Sequence, residues 1–224
     1  MIYLIVLAII ALFGPHIWAS YVLNRYNRRE YFSGSGIDLA RLLLQRLGLK
    51  DVNLEVTAAA DHYDPLQKTI RLTQHTCGRK TLTAVVVAAH EVGHAIQDQA
   101  GYQPLKTRTR MIGTAQKVER LGAFIMMAVP VLAALTRAPS IGLLMFVGGL
   151  ATLGIPVLVH LLTLPTEFDA SFNRALPLLS SGEYIPLEDV PAAKRILTAC
   201  ALTYVAGSLV GLLNVWRWIR LLRR

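Results

Sequence analysis

A mainly α-helical, integral-membrane fold is what this sequence predicts, with about four membrane helices and an α+β domain that carries a small β-hairpin and a histidine-bearing helix. Three observations lead there. Of the 224 residues 54% are hydrophobic and the mean hydropathy is +0.44, more apolar than water-soluble chains usually are. Apolar runs recur at residues 2–23, 121–136, 140–164 and 196–215, each bordered by Arg or Lys. Between the first two runs lies a stretch of alternating and amphipathic pattern that contains His90-Glu91-Val92-Gly93-His94.

The run at 2–23 has no Lys or Arg before it and Arg25, Arg28 and Arg29 after it, which marks an uncleaved anchor rather than a cleaved leader. Residues 37–47 mix Leu39, Leu42, Leu43 and Leu44 with Asp38, Arg41 and Arg46, an amphipathic helix that Gly48 stops. Residues 53–57 and 69–73 alternate as strands do, and the turn-rich 61–68 between them predicts a hairpin of those two segments. Residues 121–164, broken by Arg137-Ala138-Pro139, form the expected transmembrane hairpin, and 196–224 a final membrane helix with an aromatic, basic tail. The expected organisation is thus an anchor at 1–23, a region with the histidine-bearing helix at 24–120, the hairpin at 121–164, a carboxylate-bearing helix and connector at 165–195, and the last span and tail at 196–224. A net charge of +9 placed beside apolar runs, with no stacking-aromatic pattern, argues for membrane topology over nucleic acid. Only Cys77 and Cys200 are present, far apart, so no disulfide framework is implied.

The chemistry concentrates at 81–97, which contains no Pro and no Gly before Gly93. On a helix, residues four apart share a face, so the imidazoles of His90 and His94 converge on one Zn²⁺. Glu91, between them, reaches a water on that ion and is the expected general base. A catalytic zinc site commonly takes two His and one Glu, and Glu167 is the expected third ligand, with Asp169 orienting a ligand histidine. His62 and Tyr63 are candidate donors to a developing oxyanion, alongside a donor elsewhere in the chain. Lys106, Arg108, Arg110, Lys117 and Arg120 read as a solvated or headgroup-facing basic stretch, and His160 as an ionisable residue inside an apolar run.

Taken together, VAAHEVGHAIQ, DHYDP, the apolar hairpin, LPTEFDAS and ALTYVAGSL resemble the membrane-bound neutral zinc metallopeptidases of bacteria, the YugP-like group, from about residue 26 to residue 213. The resemblance implies a zincin-like, gluzincin-type membrane peptidase with His90, His94 and Glu167 as zinc ligands and Glu91 as catalytic carboxylate. The segment is also distantly similar to the CAAX-processing and heat-shock membrane proteases, which usually carry an Asp four residues after the ligand Glu; Ser171 stands there in this chain. The expected function is a membrane-embedded, zinc-dependent endopeptidase that hydrolyses peptide bonds with zinc-activated water. It would act on a peptide or protein substrate in a bacterial cell membrane, as a multi-pass protein in contact with the bilayer and with the zinc site facing the cytoplasm. A non-peptidase membrane zinc hydrolase and a catalytically silent zinc-binding assembly factor are the alternatives. Retention of Glu91 weighs against the second, since a structural zinc site needs no base.

Overall fold

The computed structural model describes residues 2–136 and 139–212. Arg137, at the expected hairpin tip, and the expected basic tail at 216–224 lie outside the described residues. A long first helix, α1 (Ile2–Tyr26), leads to α2 (Gly36–Arg46), then to a three-stranded sheet of β1 (Asn53–Thr57), β2 (His62–Asp64) and β3 (Thr69–Thr73). After a short α3 (Gln74–Gly78) come α4 (Leu82–Gln99), α5 (Gln103–Thr136) and α6 (Pro139–Phe168). A seven-residue π-helix (Asp169–Ala175) continues α6 into α7 (Leu176–Leu179), and after a 3₁₀ turn α8 (Val190–Leu212) closes the described chain.

Local chemistry accounts for where these elements begin and end. The Asp38 carboxylate accepts hydrogen bonds from the Ser35 backbone N–H at 3.0 Å and from its hydroxyl at 2.7 Å, fixing the start of α2, and Gly48 at φ +69° ends it. Helix α4 starts at Thr81, whose hydroxyl accepts from the Ala84 N–H at 3.2 Å, and stops before Gly101 at φ +66°. Nearly all of α4 is buried, including both histidines and Glu91, so it is the central helix. Leu39, Ala40 and Leu43 of α2, Ile70 and Leu72 of β3, and Ala193, Ile196, Leu197 and Ala199 of α8 pack in one core with Val86, Ala89 and Val92 of α4.

The sheet differs from the expected hairpin of 53–57 with 69–73. Its order is β1-β3-β2, with β1 parallel to β3 and β2 antiparallel to it. The segment read as one turn itself contains a strand, which pairs His62 with Arg71 and Asp64 with Thr69 and so occupies one edge of β3. The reversal is confined to residues 65–68, where the Asp64 carboxylate accepts from the N–H groups of Leu66 and Gln67. The hairpin is therefore β2–β3, and β1 takes the remaining edge in parallel.

The membrane architecture is corrected as well. Among the described residues, no helix is long and apolar enough to cross a membrane. That finding overturns the four membrane helices of the expected fold, and with them the multi-pass cell-membrane placement and its cytoplasm-facing zinc site. Within the described residues the apolar runs are helical, and parts of them pack against other elements of the protein, while Ile10, Ile17, Phe124, Met127, Leu143 and Leu162 stay exposed. Ala19 and Val22 of α1 share the core of α4 with the α8 residues, and α5 runs along α6. Helix α5 also starts well before its apolar run and carries Lys106, Arg108, Arg110, Lys117, Glu119 and Arg120. Hydropathy registers that a segment must be buried, not what buries it.

One close approach sets the distance between α4 and the π-helix. A Cβ added at Gly93 would lie 2.5 Å from the Ala170 carbonyl oxygen, a contact that no flexible side chain could relieve. We expect Gly93→Ala to push the two elements apart and to destabilise by about 1–3 kcal/mol, as overpacking does. Gly113→Ala, where the new methyl meets open space within α5, is expected to leave stability unchanged or slightly raised. Thermal denaturation of both variants checks this; equal melting temperatures would contradict the close contact.

Candidate metal centre

The continuous burial of α4 brings His90 and His94 to one face, and the end of α6 brings Glu167 against them. All three are 2% exposed. The Glu167 Oε2 lies 3.1 Å from His94 Nε2 and 3.5 Å from His90 Nε2, and the three ligand-type atoms lie within 4.8 Å of one another. Four ligands placed tetrahedrally about 2.0–2.1 Å from a zinc ion stand about 3.3–3.4 Å apart. The two His–Glu separations bracket that spacing, so the three side chains are able to hold one such ion.

The hydrogen bonds behind the histidines fix which nitrogen faces inward. Ser171 Oγ donates to the Leu197 carbonyl at 3.2 Å, so it accepts from His90 Nδ1 at 3.0 Å. The Gln97 amide nitrogen donates to the Thr166 carbonyl at 2.9 Å and to Asp169 Oδ2 at 2.8 Å, which leaves its oxygen to accept from His94 Nδ1 at 3.0 Å. Both rings therefore carry their proton on Nδ1 and turn an Nε2 lone pair toward Glu167, the tautomer a metal needs. Asp169 accordingly reaches His94 only through Gln97. Ser171, four residues beyond Glu167, is in direct contact with His90.

Behind Glu167 stands Arg108. Its guanidinium lies 2.6 Å from Glu167 Oε1, both side chains almost fully buried, and passes 5.1 Å from the centre of the Tyr204 ring. The contact with Oε1 is an ion pair without hydrogen-bond alignment, for Oε1 and Arg108 Nε have no hydrogen-bond partner among the described residues. The pairing leaves Oε2 for the histidines and offsets one buried charge with another. Glu91 Oε2 is buried and likewise unpartnered. Burial pushes its carboxyl up to about 7, with the neighbouring His90 pulling it down and the charge of Glu167 adding to the rise.

His90 and Glu91 also line a cleft of about 350 Å³ together with Leu23, Asp61, Cys200 and Tyr204. His62 and Tyr63 are not among its walls. His62 Nδ1 contacts the Ala60 carbonyl at 2.8 Å, and the Tyr63 hydroxyl donates to Asp98 at 2.9 Å on the other side of β2. Their place at the cleft is taken by Tyr204 and His160, whose rings stack 5.7 Å apart. Gln97 was missed, although its position three past His94 on the same helix is a signal that could have found it. Arg108 carried no such signal, since one arginine in a basic stretch is indistinguishable from its solvated neighbours.

Comparison with known proteins agrees with this geometry. The family described as "Putative neutral zinc metallopeptidase" matches residues 1–223. The chain is also similar to "Putative membrane protease YugP" of Bacillus subtilis (strain 168), 32% identical over 217 residues that cover 94% of this chain and 92% of that protein. No solved structure matches. With the whole-length family match, the extensive relative and a buried His, His and Glu set spaced for zinc, the chain belongs to the Putative neutral zinc metallopeptidase family.

Proposed function

We propose that the protein is an endopeptidase whose zinc is held by His90, His94 and Glu167 and whose proton-transfer group is Glu91. One observation carries the reading: a donor set spaced for zinc reaches an open cleft through His90, beside Glu91, whose buried Oε2 has no hydrogen-bond partner among the described residues. Zinc bound there supplies Lewis acidity toward a peptide carbonyl and toward water. Ser171 and the Gln97–Asp169 pair keep the two imidazoles in the ligating tautomer, and Arg108 holds Glu167 with one oxygen turned inward. Glu91 Oε2 takes the proton of the attacking water and returns it to the departing amine nitrogen, so the carboxyl ends the cycle as it began. The buried setting of α4 strengthens the electrostatic interactions around these transfers.

Glu91→Gln is expected to keep near-stoichiometric zinc while losing peptidase activity by roughly 10²–10⁴-fold, the contribution of a positioned general base. Metal analysis and a casein-type assay on the purified variant decide it, and full residual activity would remove Glu91 from the mechanism.

For the ligand set, Glu167→Ala is expected to abolish stoichiometric zinc binding, whereas Asp169→Ala and Ser171→Ala weaken it by about 10–100-fold, as loss of groups that orient a ligand does. Competitive titration against a chelating dye measures all three. If Asp169→Ala proves the more damaging, the ligand is Asp169.

A further inference from the structure

The cleft beside Glu91 is built from helix faces that meet at regular spacing. Val87, His90 and Glu91 lie at i, i+3 and i+4 on α4, and Cys200, Thr203, Tyr204 and Gly207 at i, i+3, i+4 and i+7 on α8. Its floor, formed by Val87 and Cys200 next to His90 and Glu91, is buried, and its rim at Thr203 and Gly207 is exposed. The volume of about 350 Å³ falls at the lower end of the range of about 300–1,000 Å³ for ligand sites. Asp61 is the acidic wall residue outside the metal centre, and its charge is already engaged: one oxygen accepts from the Thr73 N–H at 2.6 Å and the other from the Thr76 hydroxyl at 2.9 Å. At Gly207, a Cβ would meet nothing within 4 Å. Position 207, on the cleft wall, therefore has room for a larger side chain.

We propose that this cleft is the subsite for a bulky apolar side chain, of Leu, Met or Phe type, on the residue flanking the scissile bond, and that Gly207 and Val87 set the size it accepts. The inference rests on the peptidase reading above and names its substrate class. A peptide seated with its carbonyl at the metal centre has its neighbouring side chain within reach of Val87, one turn back along α4 from His90 and Glu91. An apolar side chain leaves water there at a favourable free energy, whereas an acidic one would meet Glu91 and Asp61. A hydrophobic subsite discriminates by about 10–200-fold per methylene-scale change.

The test has a binding arm and a cleavage arm. In the first, calorimetry on zinc-loaded Glu91→Gln protein compares peptides that differ only in Leu, Ala or Lys at the flanking position. At least tenfold tighter binding of the Leu peptide is expected, and the added substitution Gly207→Phe, which fills the cleft, is expected to abolish that preference. In the second, the wild-type protein digests a mixed peptide library read by mass spectrometry; apolar residues are expected at the flanking position, shifting to Ala and Gly in Gly207→Phe and to Trp in Val87→Ala. The enlarged cleft of Val87→Ala keeps the test open should Gly207→Phe fail to fold. Equal binding of Leu and Ala peptides, a preference for Lys, or a cleavage pattern that neither variant moves would overturn the subsite. A Leu preference in binding with no cleavage of any peptide by the wild type would uphold the subsite and defeat the peptidase reading instead.

Discussion

Burying two imidazoles and three charged side chains inside an apolar helix bundle is the constraint on which the rest of this structure depends. His90, Glu91, His94, Glu167 and Arg108 are each 7% exposed or less, and stranding any of them without compensation would cost several kcal/mol. For all but Glu91, whose Oε2 has no hydrogen-bond partner among the described residues, the surrounding elements answer that cost one group at a time. Helix α5 supplies Arg108 to Glu167, the π-helix supplies Ser171 to His90, α4 supplies its own Gln97 to His94, and α8 supplies a backbone carbonyl that sets the direction of the Ser171 hydroxyl. Removing one partner would leave a buried polar atom unpaired.

Backbone proximity makes this possible. Because position 93 bears no side chain, the π-helix backbone reaches α4 between its two histidines. In uniform α winding, residues two apart face different directions, yet Glu167, Asp169 and Ser171 all contact α4 or its side chains. The wider winding that begins at Asp169 accompanies this placement, and π segments inside longer helices recur at functional sites for that reason. The glycine of HEVGH thus matters for the segment that follows Glu167 as well as for its own helix.

The misjudged architecture and the misjudged role of Arg108 share a cause. A window of apolar residues reports a need for burial, which lipid and protein satisfy equally in such a count, and for the end of the first run and the start of the last the shared core of α1, α4 and α8 supplies it. A cation in a basic stretch reports solvation only until a buried carboxylate 59 positions away is placed beside it. Both are questions of which distant segment arrives, and one-dimensional pattern carries no answer to them. The sheet shows the same limit on a smaller scale, since a three-residue strand inside a turn-rich segment decides which edge β1 is left to occupy.

What the sequence by itself determined is the chemistry that short-range geometry dictates. The i, i+4 histidines of α4, Glu91 between them and the amphipathic α2 were legible, because helical spacing ties the residues of each helix to one another whatever the fold, and the carboxylates after the third apolar run stood out as the first charges beyond it. Glu167 was already the residue expected at the histidines and Asp169 a group that orients one of them; only the tertiary structure decided that Asp169 reaches His94 through the Gln97 amide, that Ser171 rather than Asp169 touches a ring, and that Arg108 stands behind Glu167. It also decided that Tyr204 and His160, rather than His62 and Tyr63, wall the cleft. These choices depend on where α5, the π-helix and α8 cross α4, and such crossings follow from the packing of the whole core rather than from any local run of residues.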